Sequence, residues 1–423
     1  MHMPNTAPVE RKARNAVIVS SSPPNTEPSN ALHRHRPSSR TTATAKPASG
    51  SCPVMRTTVE RAGATRKHYC ALVTFGTANG GAQPHDRVAL PRPGVGQDGS
   101  MRAVCVIGLG LIGGSVLRAA TAAGRPAWGA TAGADDAAGA RGDGYQVDST
   151  EEALRRAAEQ DALVVVATPL TSVRAVLREV AWHAPEARLT DVVSVKDPVD
   201  AEVRGLLPGA RYAGGHPMAG TASSGWAAGS AELFRGAPWA VVVEEGTSLE
   251  AWRDAAELAL DCGAHVVATS AAEHDDAVAR ISHLPHVFAN VLAAVGADGG
   301  PLALSLAAGS FRDATRVAAS DPELVRAMTE GNRVALLDAV DDALGRLGAA
   351  RGSLASTGAL KTTVDAGFAA RGELERVSDP ERTSQEVALR GDRDLRRLRE
   401  LGARGGRITA LGEGSATVEL PAS

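Results

Sequence analysis

The sequence has few cysteines, few aromatic residues and no long apolar run. Its four cysteines form no Cys-x-x-Cys pair and no regular framework, which excludes a disulfide scaffold and predicts a reduced, cytoplasmic protein. Aromatic residues make up 3% of the chain and do not interleave its basic segments, so no nucleic-acid partner is expected. The longest apolar runs, such as 162–167, are far shorter than a bilayer-spanning helix, and no membrane span is predicted.

The net charge of −3 sums two unlike segments. Residues 1–100 carry 13 basic and 5 acidic residues and 11 of the 23 prolines, whereas residues 101–423 carry 32 basic and 43 acidic residues, a net charge of −11. The first hundred residues lack apolar periodicity, which predicts a disordered leader. Three interpretations of it stay open: a non-functional extension or over-called start, a functional disordered tail, and an organelle transit peptide.

From Met101 the pattern is typical of an α/β fold, in which short buried strands alternate with helices. We predict a Rossmann-like domain over 101–270. Its candidate strands are 103–107, 127–130, 162–167, 189–193, 212–214, 239–243 and 265–268.

Beyond residue 270 the strand pattern gives way to long Ala-rich and Leu-rich segments. We predict an all-α domain over 271–372, with Pro285 kinking or ending its first helix near Leu284. Such helices need a partner surface, so a homodimer through this domain is expected. Residues 373–423 read as a small charged β/α appendix of unknown role, with one helix at DLRRLREL and strands at RITAL and ATVEL.

A glycine-rich turn follows the first predicted strand. In VIGLGLIGGS, Gly108, Gly110 and Gly113 form Gly-x-Gly-x-x-Gly, and Leu111 and Ile112 open the next helix. Glycine at these positions permits a tight turn, close approach of a pyrophosphate, and close packing of helix on strand. The motif in this setting predicts a nicotinamide dinucleotide site.

The acid expected to bind the adenine ribose at the end of the second strand is replaced by Thr131. Asp135 or Asp136 could take that role, or Arg141 could help to accept a 2′-phosphate. The cofactor is therefore NAD or NADP, with NAD slightly favoured.

Four further segments contain polar residues in glycine-rich or helical settings: TDVVSVK (190–196), GGHPMAGT (214–221), ISHLPH (281–286) and GSFRDATR (309–316). The first two follow predicted strands, where ligands bind in doubly wound sheets. His283 and His286 lack a third ligand at motif spacing, so no metal site is predicted.

These segments and GLGLIGGS, in this order and spacing, resemble the prephenate dehydrogenase family, which includes arogenate and cyclohexadienyl dehydrogenases. The resemblance covers 101 to about 370. It implies a Rossmann-like domain followed by a helical dimerisation domain, and oxidative decarboxylation of a cyclohexadienol with reduction of NAD(P)⁺.

The resemblance also implies residue roles. His216 is implied as the catalytic base and Ser194 as the residue that hydrogen-bonds the substrate hydroxyl and the histidine. Arg316 is implied to bind the substrate carboxylate, and His283, His286 and Thr221 to line the substrate pocket. Lys196 is a weaker candidate with a structural alternative.

The chain departs from the family pattern at three positions: Ala222 stands where an acid is usual, Val325 where a tryptophan is common, and Thr131 at the ribose position. We expect prephenate as the substrate, with 4-hydroxyphenylpyruvate as the product in tyrosine biosynthesis, and arogenate as the alternative. Two further alternatives are a hydroxy-acid dehydrogenase, which would need a catalytic lysine such as Lys361, and a non-catalytic nucleotide-sensing dimer.

Overall fold

The structure, a computed structural model, describes residues 101–221, 223–378 and 381–422. The predicted leader (1–100) and Ala222 lie outside the described residues.

A five-stranded parallel sheet forms the first part of the fold. Its strands are β1 (Val104–Ile107), β2 (Ala127–Ala130), β3 (Leu163–Val166), β4 (Arg188–Asp191) and β5 (Arg211–Tyr212). The helices that connect and follow them are α1 (Leu111–Ala122), α2 (Ala134–Gly142), α3 (Thr150–Glu159), α4 (Leu170–His183) and α5 (Asp197–Leu206). The strand order β2-β1-β3-β4-β5 is doubly wound, so a ligand crevice is expected at the carboxyl ends of β1 and β3.

Strands β1 and β3 are apolar throughout because helices cover both faces of the sheet. In β1, Val104 and Val106 join one hydrophobic core, while Cys105 and Ile107 join the other. Burial raises the pKa of the Cys105 thiol well above its usual value. Cys105 is therefore a small core residue, as the strand pattern predicts, and not a nucleophile.

A second sheet begins where the sequence predicts a single strand at 212–214. That prediction was wrong in its extent, because β5 ends at Tyr212 and β6 (Gly215–Pro217) pairs with a different sheet. The following elements are β7 (Pro238–Val242), α6 (Leu249–Asp261) and β8 (His265–Thr269). Strand β6 is antiparallel to β7, and β7 is parallel to β8.

A helical region follows β8. It comprises α7 (Ala271–Val278), a π-helical turn (Ala279–His283), α8 (Leu284–Asp298), α9 (Gly300–Ser305), α10 (Gly309–Thr315), a 3₁₀ turn (Arg316–Ala319), α11 (Pro322–Gly331), α12 (Arg333–Thr357) and α13 (Lys361–Ser378). At the predicted break the helix changes type: a π-helical turn runs to His283, and α8 begins at Leu284 with Pro285 in its first turn. The chain stays helical from Ala271 to Asp298, so Pro285 does not end the helix.

The stretch Ala271–Asp298 is long and apolar enough to cross a membrane, by length and composition only, with a mean hydropathy of 1.2 in its best window. The expectation that no segment reaches this level was wrong, because it considered only uninterrupted apolar runs. Such a helix is weak evidence for a span. Its first half carries the buried polar residues His274, Asp275 and His283, and the first two of these contact the α/β part of the molecule.

The C-terminal segment completes the second sheet. It forms β9 (Arg382–Ala388), α14 (Asp392–Gly402), β10 (Arg407–Leu411) and β11 (Ser415–Pro421). Strand β10 pairs with β8 at Ile408 and Val266, which gives the order β6-β7-β8-β10-β11-β9. Helix α14 lies so close to β8 that a Cβ on Gly402 would be 2.1 Å from the carbonyl oxygen of Ala268. The predicted appendix over 373–423 is therefore not a separate unit, because α13 extends to Ser378 and the elements from β9 onwards are part of the α/β core.

Candidate active site

The glycine turn forms a cradle at the carboxyl end of β1. Gly108 has a φ of +104°, and a Cβ there would lie 2.5 Å from the carbonyl oxygen of Ala167. A Cβ on Gly113 would be 1.9 Å from the Gly108 carbonyl oxygen, whereas a Cβ on Gly110 would meet nothing within 4 Å. The backbone is thus tight at two glycines and open at the third.

The chemistry of this cradle fits an anionic group. Helix α1 begins at Leu111 with Gly110 as its N-cap, without a side-chain cap and without an acid in its first turn. Its first N–H groups and the positive end of its dipole are therefore available to a phosphate. The hydroxyl of Thr168, beside Gly108, is buried and has no hydrogen-bond partner among the described residues. Residues 108–113 and Thr168 would hold the pyrophosphate of a dinucleotide.

Two of the residues predicted to contact the adenine ribose, Asp136 and Arg141, are hydrogen-bonded to other parts of the protein. Asp136 accepts a hydrogen bond from the backbone N–H of Trp226 at 2.7 Å, and Arg141 donates to the carbonyl of Val147 at 2.9 Å. Asp135 is exposed. The Oγ1 of Thr131 lies 3.4 Å from the N–H of Gly133, which is a weak contact.

His216 lies in β6 near the carboxyl edge of the first sheet. Its Nδ1 is 2.8 Å from Nε2 of His274, and Nδ1 of His274 is 2.8 Å from Oδ1 of Asp275. Burial, together with the nearby His274, Lys196 and His283, holds the pKa of His216 well below 6.5. The imidazole is therefore neutral at physiological pH and can accept a proton.

A buried ion pair supports the strand that carries His216. The ammonium group of Lys196 pairs with Asp191 and donates to the carbonyl of Gly215 at 2.6 Å. Tyr212 donates to the other oxygen of Asp191 at 2.7 Å. Burial lowers the pKa of Lys196, and the charge of Asp191 opposes that shift. These contacts favour the structural interpretation of Lys196.

The two histidines of ISHLPH have unlike surroundings. His283 is buried, and its Nδ1 accepts a hydrogen bond from Asn332 at 3.1 Å. Burial lowers the pKa of His283 to about 4. His286 is partly exposed and donates from Nδ1 to the carbonyl of Ser282 at 2.9 Å.

The other predicted site residues are not bonded to His216. Arg316 is exposed in the 3₁₀ turn after α10 and has no hydrogen bond or ion pair to another described residue. The side chain of Ser194 is half-buried and likewise has no partner in the described ranges. Among the residues that the structure describes, the Thr221 hydroxyl bonds only to Ser223. Over 101–221, 223–378 and 381–422, no group of three or more metal-ligating side chains is found.

Sequence reasoning missed His274, Asp275 and Asn332. His274 and Asp275 stand in a polar run, EHDD, that is typical of an exposed helix face, and Asn332 is the N-cap of α12. His274 and Asp275 are buried by contacts with β6 and the start of α5, and Asn332 is buried by contacts with Asp275 and His283. No local sequence pattern indicates these contacts. The one sequence feature that could have indicated a functional role was His274 next to Asp275, one turn into α7.

Comparisons with known proteins identify the family of the chain. The chain matches the model of the prephenate dehydrogenase nucleotide-binding domain over residues 127–268 and that of the prephenate dehydrogenase dimerization domain over 270–358. Together these ranges are more than half of the chain. The chain belongs to the prephenate dehydrogenase family.

Two curated relatives and one solved structure illustrate the similarity. The chain is 35% identical to a cyclohexadienyl dehydrogenase from Zymomonas mobilis over 60% of this chain and 88% of that protein. It is 33% identical to a prephenate dehydrogenase from Bacillus subtilis over 56% of this chain and 66% of that protein, just under two thirds of its length. A crystal structure from Corynebacterium glutamicum, described as a candidate prephenate dehydrogenase, is 45% identical with a TM-score of 0.63, over 65% of this chain and 89% of that one.

The glycine cradle gives a prediction that separates binding from folding. Gly110→Ala should fold normally, since its Cβ has open space, but should raise the Kd for the dinucleotide about tenfold, a loss of ~1.4 kcal/mol. Gly113→Ala should lower the unfolding temperature, because its Cβ would overlap the Gly108 carbonyl. Calorimetric titration with nucleotide and thermal unfolding measure the two effects.

Gly142→Ala is the matched control, since that Cβ also has open space but lies at the end of α2. Unchanged nucleotide affinity in Gly110→Ala would show that the open face of the turn is not the phosphate site.

Proposed function

We propose that the protein is a homodimeric, cytoplasmic enzyme that converts prephenate and NAD⁺ to 4-hydroxyphenylpyruvate, CO₂ and NADH. The observation that carries the proposal is a neutral, hydrogen-bonded His216 at the carboxyl edge of a dinucleotide-binding sheet, in a chain of this family. The lowered pKa keeps this base unprotonated at the pH where the reaction must run.

The proton on the substrate hydroxyl is the part of the reaction that the chain's own residues can control. When bound, the nicotinamide accepts the hydride from the ring carbon that bears this hydroxyl. His216 accepts the hydroxyl proton as carbonyl character develops at that carbon. The ring carboxylate then leaves as CO₂, its bonding electrons aromatise the ring, and His216 returns the proton to the phenolic oxygen.

Arg316 and Ser194 supply orientation in this proposal. Each has a polar side chain without a partner among the described residues, so each can bind a ligand without breaking an existing contact. A guanidinium can hold a carboxylate through two parallel hydrogen bonds. Arg316 binds a substrate carboxylate, and Ser194 hydrogen-bonds the substrate hydroxyl.

We infer prephenate and not arogenate as the substrate from the group on the substrate's side chain. Arogenate carries an ammonium group where prephenate carries a keto group, and a nearby acid would attract the ammonium. Position 222, where the family usually has an acid, is alanine. Arogenate remains the second candidate, since one relative is named a cyclohexadienyl dehydrogenase.

NAD is preferred to NADP because the basic residue near the ribose is already engaged. Arg141 donates two hydrogen bonds to the carbonyl of Val147, at 2.9 and 3.2 Å. Asp135 and Asp136 at the start of α2 would repel a 2′-phosphate.

A second copy of the chain is the proposed cover for the helical region. Among the described residues, large apolar side chains with high exposure cluster there. They are Ile281, Phe288, Val291, Leu292, Val295, Leu302, Leu304, Leu306, Leu324, Val334, Leu337, Leu344, Leu347, Leu354, Val364, Phe368, Leu374 and Val377. A patch of this extent marks an interface, and residues 270–358 match a dimerization domain. We propose neither a membrane nor a nucleic acid as a partner.

The activity is tested by initial rates with prephenate and arogenate, each with NAD⁺ and NADP⁺, with and without tyrosine. His216→Asn should lower kcat by about 10²- to 10⁴-fold, the usual contribution of a positioned base, and leave the nucleotide Kd unchanged. His265→Asn, a half-buried histidine in β8, is the control. The base assignment is wrong if His216→Asn keeps near wild-type kcat. The function is wrong if the wild type turns over neither substrate.

The carboxylate role of Arg316 predicts a change in KM. Arg316→Ala should raise KM for prephenate by about 10- to 100-fold, because a charge-assisted hydrogen bond contributes about 1.5–3 kcal/mol. Arg316→Lys should recover part of the loss. Arg312→Ala removes an exposed arginine from the preceding α10 and should leave KM unchanged. Equal KM values for Arg316→Ala and Arg312→Ala would exclude this role.

If the dimer forms through the surface of α8, a charge introduced on that surface should weaken it. Val295→Glu, at a side chain that is 63% exposed, should shift the molar mass from dimer towards monomer in light scattering. Trp182→Glu places the same charge on an exposed apolar residue of α4 and should leave the dimer intact. A monomeric wild type, or an intact dimer in Val295→Glu, would contradict the proposed interface.

A further inference from the structure

A line of hydrogen bonds runs from a buried carboxylate to His216. We propose that His274 is a positioning residue that fixes the tautomer of His216, and that Asp275 in turn fixes the tautomer of His274. The proposal rests on the proposed function of His216 as the base, because only a base needs one particular ring nitrogen to be free.

The carboxylate oxygens of Asp275 accept three hydrogen bonds. Oδ1 accepts from the backbone N–H of Lys196 at 2.8 Å and lies 2.8 Å from Nδ1 of His274, and Oδ2 accepts from the N–H of Asp197 at 2.9 Å. Burial raises the pKa of Asp275, but the hydrogen bonds from His274, Asp197 and Lys196 outweigh it and lower the pKa overall. Asp275 is therefore ionised and can only accept, so Nδ1 of His274 carries a proton.

The state of His274 then determines that of His216. In a neutral imidazole with a proton on Nδ1, Nε2 is an acceptor. Nε2 of His274 lies 2.8 Å from Nδ1 of His216, so His216 donates from Nδ1 and its own Nε2 has no proton. His274 is buried, and the two rings meet edge to face at 70°, which suits a hydrogen bond in the plane of one ring and not a stack.

The position of α7 makes this line rigid. Asn332, the N-cap of α12, donates to the backbone carbonyl of Asp275 at 2.7 Å. The carboxylate of Asp275 accepts hydrogen bonds from the backbone at the start of α5. Asp275 is thus fixed from both the helical region and the α/β core, and a positioning residue is effective only if it is itself held.

The test compares two replacements of His274. In His274→Leu, Nδ1 of His216 loses its acceptor, so kcat should fall by about 10²-fold or more; forcing the wrong histidine tautomer costs about 10⁴-fold in serine proteases. In His274→Gln, an amide oxygen can still accept from His216 and the amide nitrogen can donate to Asp275, so kcat should recover to within about tenfold of wild type. Asp276→Asn, next to Asp275 but exposed and paired with Arg280, should change neither kcat nor KM.

A second measurement reports the tautomer without any substrate. Nitrogen-15 NMR of the histidine rings, with His216 assigned from the His216→Asn spectrum, should show Nδ1 protonated and Nε2 unprotonated in the wild type. The same pattern should persist in His274→Gln and disappear in His274→Leu.

The outcomes separate this proposal from the proposed function. The positioning role is overturned if His274→Leu keeps kcat within twofold of wild type, if Nε2 of wild-type His216 is protonated, or if Gln and Leu fail equally with the same loss of unfolding temperature. Failure of the wild type to oxidise prephenate or arogenate would overturn the function instead, and the NMR result would still decide the tautomer.

Discussion

The rest of the site depends on the hydrogen bonds of Asp275. Its carboxylate accepts from two backbone N–H groups at the start of α5 and from His274, and its carbonyl accepts from Asn332. A buried carboxylate with an unmatched lone pair would cost several kcal/mol, so this arrangement is stable only when the α/β core and the helical region are both in place. The site at the junction is therefore formed by the same bonds that fix the two regions together.

The neighbouring pair of Lys196 and Asp191 has a related role. A buried ion pair adds little stability by itself, because desolvation offsets the attraction. Here its ammonium also binds the carbonyl of Gly215, the residue before His216, and its charge helps to keep His216 neutral. The pair thus acts on both the position and the protonation of His216.

Features that depend on short stretches of sequence could be predicted. Buried strands such as 104–107 follow from apolar runs, and the change of helix type next to Pro285 follows from its missing N–H. The glycine cradle and His216 follow from motifs whose residue types have few other uses. The pairing of Ile408 with Val266 could not be predicted, because 142 residues separate the partners and neither has a local marker. His274 and Asp275 escaped for the same reason, since their burial depends on α5.

The charge of the protein constrains how it can bind its ligands. Residues 101–423 carry a net charge of −11, while a prephenate-like substrate and a dinucleotide are both anions. At physiological salt a charge acts over about 8 Å, so the global field is screened and local groups decide binding. The uncapped start of α1 has no acid in its first turn, and Arg316 has no acidic partner among the described residues. The start of α1 and the guanidinium of Arg316 are therefore available to anions, and at this screening length the excess of acids elsewhere does not oppose them.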